Sequence, residues 1–124
     1  MTQEEKELLL QDLCARLLYK VKIEITWWVV DEGTCMNTTL EPDHIDQLLN
    51  DDDTEIKPYL RSMSSMTEEE RLLFYQNTLQ YNEEIGYSEY TYKSIDWLNA
   101  HHFDYRGLIE KGLAIEAPKG MYKN

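Results

Sequence analysis

The sequence predicts an α+β fold: an N-terminal helix, a small antiparallel sheet built on a hairpin near residues 21–40 plus short strands, and two or three further helices. Three observations predict it. Apolar residues recur at three- and four-residue spacing from Leu9 to Leu18, the period changes to two from Val21, and a Thr-x-x-Glu signature opens a new helical pattern at Thr67. At 124 residues with 42% hydrophobic content the chain suits a single domain spanning 1–124, and no repeat, linker or low-complexity stretch divides it.

Thr2-Gln3-Glu4-Glu5 has the spacing of a capping box, in which hydroxyl and carboxylate satisfy free N–H groups reciprocally, so a helix follows. Its buried stripe reads as Leu9, Leu10, Leu13, Cys14, Leu17 and Leu18, with Glu7, Gln11, Arg16 and Lys20 turned away. Next, Val21, Ile23, Ile25, Trp27 and Val29 share one strand face, and Lys22, Glu24, Thr26, Trp28 and Val30 share the other. Trp27 and Trp28 therefore part, one to the core and one to solvent. Asp31-Glu32-Gly33-Thr34 reads as a turn and Cys35 to Leu40 as the returning strand. Pro42 at a first helical position, followed by Ile45, Leu48 and Leu49, favours a short helix over an extended alternative. Asp51-Asp52-Asp53 reads as a turn, and Glu55 to Leu60 as extended, because the residue before a proline avoids helical angles.

Thr67-Glu68-Glu69-Glu70 opens a helix running to about Tyr81. Residues 82–93 read as a loop in which the rings of Tyr87, Tyr90 and Tyr92 rest on the core edge. Ser94 is placed as the cap of another helix carrying Ile95, Trp97 and Leu98, with Trp97 in the core. Asp104 then caps a short turn through Leu108 and Ile109, Gly112 suits a left-handed helix end, and Leu113-Ala114-Ile115 is a candidate strand.

Charge is unevenly spread. Asp and Glu number 24 against 12 Lys and Arg, for a formal net charge of −12. Residues 1–22 balance four acids with four bases, and residues 93–124 carry a slight basic excess. The centre, 23–92, holds 16 acids against three bases, a net −13. Between Lys22 and Lys57 stand ten acids and no base, a density of like charge that needs a broad surface or a partner to offset it. This acidity argues against direct contact with nucleic-acid phosphates or an anionic membrane, both of which are bound through Lys and Arg. No apolar run approaches the roughly 20 residues of a membrane span, and the acidic start, Met1 to Glu5, is unlike a signal peptide, so a cytoplasmic location is expected. Cys14 and Cys35 fit a reducing compartment and read as small buried hydrophobes.

Ile56 to Glu70 (IKPYLRSMSSMTEEE) and Ser94 to Ile109 (SIDWLNAHHFDYRGLI), together with Met1 to Arg16, resemble a group of small acidic proteins of unknown function from gut anaerobes and their prophages. The resemblance covers a little under half the chain and implies a mobile-element setting, with no chemistry to carry over. The stretch from about Trp27 to Asn50 is least like that group and is also the most acidic, as a variable surface on a shared scaffold would be.

Motifs for chemistry fail one by one. His101-His102-Phe103-Asp104 offers metal-ligand types, but adjacent helical residues diverge by about 100°, and the pattern suits a helix end in which one His bonds a backbone carbonyl. Asp51, Asp53 and Glu55 match a calcium loop at its first, third and fifth positions, yet Ile56 and Ser62 stand where Gly and a bidentate Glu are needed. No serine elbow, phosphate-cradling glycine loop or Cys–His pairing is recognisable, and Arg61 reads as a structural partner for a carboxylate. No enzyme activity, cofactor or metal is therefore expected.

Two functions remain. The first is an interaction protein presenting an acidic face to a basic partner through Asp43, Asp46, Asp51, Asp52, Asp53 and Glu55, with Trp28 as an aromatic anchor. At one charge per about 1.7 Å of duplex axis, thirteen net charges along one ridge would imitate roughly 20 Å of DNA, and inhibitors of host defence nucleases, such as anti-CRISPR proteins, share this size and charge. The second is an accessory or assembly module that associates through apolar and tyrosine surface, including a homodimer through the hairpin edge or the Tyr87–Tyr92 segment, with acidity serving solubility.

Overall fold

The first capping box forms as its spacing requires: Thr2 Oγ1 accepts from the Glu5 N–H at 3.1 Å, and the Glu5 carboxylate accepts from the Thr2 N–H at 2.9 Å. These bonds hold the Glu5 carboxyl below its ordinary range. The computed structural model describes residues 1–29, 32–51, 53–82, 87–90 and 92–122. Helix α1 (Gln3–Arg16) buries Leu9, Asp12, Leu13 and Arg16, a face rotated from the expected stripe. Cys14 is exposed, and Leu18 is 87% exposed. The rotation has two causes. The chain leaves the helix at Leu17 through a tight turn ending at left-handed Lys20, φ 56°, which swings Leu18 outward. Asp12 and Arg16, four residues apart on one face, pair at 2.9 Å and enter the interior together.

Strands β1 (Lys22–Val29) and β2 (Glu32–Thr39) form the expected antiparallel hairpin, with Trp27 opposite Thr34 and Trp28 opposite Gly33. Strand β2 starts earlier than the turn reading allowed, since Glu32 already pairs with Val29. Strand continuity outweighs the turn preference of Glu32-Gly33-Thr34. Helix α2 (Pro42–Asn50) follows with Pro42 in its first turn and the His44 ring Nδ1 accepting from the Glu41 N–H at 3.0 Å. Strand β3 (Thr54–Leu60) then pairs antiparallel with β1. Trp28 N–H donates to the Asp53 carbonyl at 2.9 Å, so the even residues of β1 bond to β3. Pro58, opposite Ile23, consequently faces away from β1 and removes no bond to that strand.

Helix α3 (Glu68–Thr78) opens at the second capping box, where Thr67 Oγ1 accepts from Glu70 N–H and Glu70 accepts from Thr67 N–H. It stops three residues short of Tyr81. Strand β4 (Leu79–Asn82) takes the place of the expected helix end and pairs antiparallel with β5 (Tyr87–Tyr90), which forms where a loop was expected, because the tyrosine-rich segment has β propensity and finds a partner in the preceding residues. The expected packing of the Tyr87, Tyr90 and Tyr92 rings lies outside the described side chains. Helix α4 (Tyr92–Ala100) begins two residues before Ser94, which sits buried inside the helix and not at its cap. Asp104 does cap the next turn, accepting from Leu108 N–H at 2.9 Å and Ile109 N–H at 3.0 Å, and Gly112 is left-handed at φ 73°. Strand β6 (Ile115–Glu116) pairs parallel with β3. The order β2-β1-β3-β6 is thus a mixed sheet within the α+β class.

The main core lies on one face of this sheet, where Ile23, Ile25 and Ile56 meet Leu9 and Leu13 of α1, Leu48 of α2, and Leu108 and Leu113. At roughly 25 cal/mol per Å² of apolar area this burial is the principal stabilising term. A smaller cluster of Phe74, Leu98 and Phe103 joins α3 to α4. The two are tied by Arg61 and Phe103, which form a parallel bridge, and by Arg16, whose Nη2 donates to the Phe103 carbonyl at 2.6 Å.

Candidate interaction surface

The sheet register decides which polar side chains share a face. Ile23, Ile25 and Trp27 oppose Pro58, Ile56 and Thr54 on the helix-covered side, so Glu24, Thr26 and Trp28 point the other way with Glu55 and Lys57. Asp53 stands opposite Trp28 across the ladder, in the turn that leads into β3. The register therefore places Trp28 and Glu55 on the open sheet face, with Asp53 at its end. Trp28 is 44% exposed, and its indole lies across Gly33: a Cβ at Gly33 would come within 3.0 Å of the ring. The glycine seats the aromatic ring flat on the neighbouring strand. Glu55 and Lys57 approach to 3.5 Å while both stay partly exposed, a contact of small energetic weight that leaves Glu55 available.

Further along this face, Tyr59 Oη donates to Asn37 Oδ1 at 2.9 Å and lies 3.4 Å from a Glu24 carboxylate oxygen. Burial and the Glu24 charge raise its phenol above the ordinary value. A groove of about 440 Å³ is lined by Trp28 and Thr54 to Lys57 together with Met1, Glu5, Leu9 and Lys111 to Leu113. Its lining combines apolar side chains with carboxylates and lysines, a mixture suited to a partner segment carrying both apolar and cationic groups.

The other acids stand apart. Leu48 and His44 turn inward from α2, which leaves Asp43 and Asp46 exposed on the outer side of the helix layer, across the sheet from Trp28. Asp46 accepts from the Asn50 amide at 2.8 Å. Asp51 is a turn former: one oxygen accepts from Asp53 N–H at 2.9 Å and the other from Thr54 Oγ1 at 2.8 Å. Asp52 lies outside the described residues. The acids of the central segment thus form a sheet group and a helix group.

Several other titratable groups have structural employment. Arg61 grips Glu70 with two hydrogen bonds of 2.7 Å, which hold that carboxyl down at about 2 despite its burial. Asp12, fully buried, takes Arg16 Nε at 2.9 Å and Arg106 Nη1 at 2.7 Å, and thereby fastens α1 to the 103–106 turn. This triad went unread in the sequence, although the four-residue spacing of Asp12 and Arg16 is a signal for it. Neither adjacent histidine makes the expected carbonyl bond through its side chain: His101 packs its ring on Trp97 at 4.2 Å, and left-handed His102 stacks on Tyr122 at 3.8 Å with a buried, unpartnered Nδ1. Burial lowers both, His102 to about 4. Tyr122 is itself pushed up to about 12 by burial, its hydroxyl bridging the Tyr59 carbonyl and the Lys22 N–H.

Among the described residues, no three His, Cys, Asp or Glu side chains are grouped so as to hold a metal ion, and no helix is long and apolar enough to cross a membrane. No family model, curated protein or solved structure matches the chain.

Proposed function

We propose that the protein is a non-catalytic interaction module of the cytoplasm that receives a basic protein partner on its open sheet face. The observation that carries this reading is the half-exposed Trp28 indole, laid over Gly33 on the sheet face that also carries Glu55, with Asp53 opposite it across the ladder. An aromatic face next to carboxylates is a receptor for Arg or Lys: the cation sits over the ring, where such contacts are worth about 0.5–2 kcal/mol, and its charge finds the carboxylates. The division of the acids between two sides of the molecule favours such a local anchor over a continuous duplex-length mimic. A nucleic-acid-binding protein of a host defence system, being basic, belongs to the partner class, and the resemblance of the sequence to prophage-borne acidic proteins accords with it.

Affinity capture from host lysate at low ionic strength tests the reading. The wild-type chain is expected to retain proteins of high isoelectric point that elute as salt is raised, and a Trp28→Ala/Asp53→Asn/Glu55→Gln variant is expected not to. Equal retention by both chains would overturn it. The alternative, an assembly module, has one observation in its favour: strand β2 lies at an open edge of the sheet.

A further inference from the structure

Strand β2 pairs with β1 on one side, and among the described residues nothing pairs with it on the other. The hydrogen bond from Leu40 N–H to the Val21 carbonyl, 2.9 Å, sets the alternation: Glu32, Thr34, Met36 and Thr38 bond inward to β1. Gly33, Cys35, Asn37 and Thr39 therefore turn their N–H and C=O groups to the free edge. Six of the eight residues of β2 are exposed. Edge strands are ordinarily guarded by lysine, proline, a bulge or an inward charge. This one has neither lysine nor proline, and its single charge, Glu32, stands at the end.

We propose that β2 is the interface for a second copy of this chain, joined antiparallel about a two-fold axis at Met36. The register follows from the alternation. Gly33 opposes Thr39 of the second copy and Cys35 opposes Asn37, so all four outward residues bond at once. Only this centring uses all of them. A register centred on Cys35 or on Asn37 leaves an outward-facing end without its partner. Met36, 46% exposed because the helix layer stops short of β2, then meets its own counterpart in the closer, non-hydrogen-bonded type of pair. Charge agrees: Glu32 falls opposite Leu40 and not another carboxylate, and a strand whose one charge stands at its end is the place where two strongly acidic chains can touch. A basic protein has no such reason to choose this edge.

The two sheets become one of eight strands, with the α1 and α2 layers on one side and both Trp28 faces on the other. Three inter-strand steps across and six residues along place the two indoles roughly 25 Å apart. The dimer would therefore present two copies of the partner face in one plane, although its existence does not rest on the partner proposal.

Sedimentation equilibrium tests it, with chain concentration raised to about 0.5 mM. A shift from the 14.8 kDa chain toward twice that mass is expected, together with at least a tenfold weaker association for Met36→Lys, which sets like charges on the axis. In a Cys14→Ser/Cys35→Ser background, Met36→Cys is expected to cross-link on mild oxidation and Thr34→Cys, which faces Thr38 of the second copy, is not. A chain that stays monomeric throughout, or a dimer indifferent to Met36→Lys, or cross-linking through Thr34→Cys instead of Met36→Cys, would overturn the proposal.

Discussion

Gly33 shows how much a single residue can control here. Period-two alternation alone separates Trp27 from Trp28, and the structure agrees: Trp27 packs against the core, its indole N–H reaching Gln47 at 3.3 Å, and Trp28 stays half exposed. The support beneath Trp28 was not legible, because the Trp28–Gly33 pairing depends on hairpin register, which the turn-like Asp31-Glu32-Gly33-Thr34 obscured. Gly33→Ala is expected to lift the indole, redden its fluorescence and weaken partner binding, at a stability cost below about 1 kcal/mol because the ring can give. Emission unchanged from wild type would show that the ring does not rest there. The cysteines are a plainer case. Composition reads them as buried, yet Cys14 lies on the exposed side of α1, and Cys35 lies on β2 with its sulfur 3.3 Å from Thr26 Oγ1. Both are expected to react with a thiol reagent in the folded protein, two equivalents per chain.

At the scale of elements, local signals were read well and tertiary ones were not. Both capping boxes, the Pro42 helix start and the Asp104 turn follow from spacing within a few residues, and each forms. The second life of Glu70 was half legible: Arg61 reads as the partner of a carboxylate, but which of the many acids it takes depends on how the nine-residue connection from β3's end folds back onto α3. The consequence is a pH dependence with a definite sign. Folding lowers Glu70 from 4.5 to about 2, so its contribution, about 3 kcal/mol, is complete above pH 4.5 and is lost as pH falls toward 2. His102, lowered from 6.5 to about 4, acts in the same direction across that higher window, because folding disfavours its cation. Glu70→Gln is expected to melt earlier than wild type at pH 7 and to converge with it near pH 2. The buried triad sets a second expectation: Asp12→Ala strands Arg16 in the interior and should cost about 3–5 kcal/mol in denaturant unfolding, far beyond a surface acid such as Asp43.

For the whole molecule, the α+β class was legible because periodicity and capping agreed along most of the chain. The β4–β5 hairpin and the parallel β3–β6 pair were not, since one hid in a polar, tyrosine-rich stretch and the other joins segments 56 residues apart. Charge followed the same rule. The linear cluster between Lys22 and Lys57 was plain, but its partition needed the layers: Asp53 and Glu55 go with the sheet, Asp43 and Asp46 with the outer helix, and Asp51 into a turn. An acidic sequence thus becomes a small aromatic and carboxylate face on one side of a sheet. Calorimetric titration with an arginine-rich peptide at low and high salt tests that claim most directly. Wild type is expected to bind with an affinity that falls steeply as salt rises, Trp28→Ala to lose at least fivefold at low salt, and Asp43→Asn/Asp46→Asn to lose less than Asp53→Asn/Glu55→Gln. Equal losses from the two acid pairs, with Trp28→Ala binding like wild type, would contradict it and leave only diffuse charge attraction.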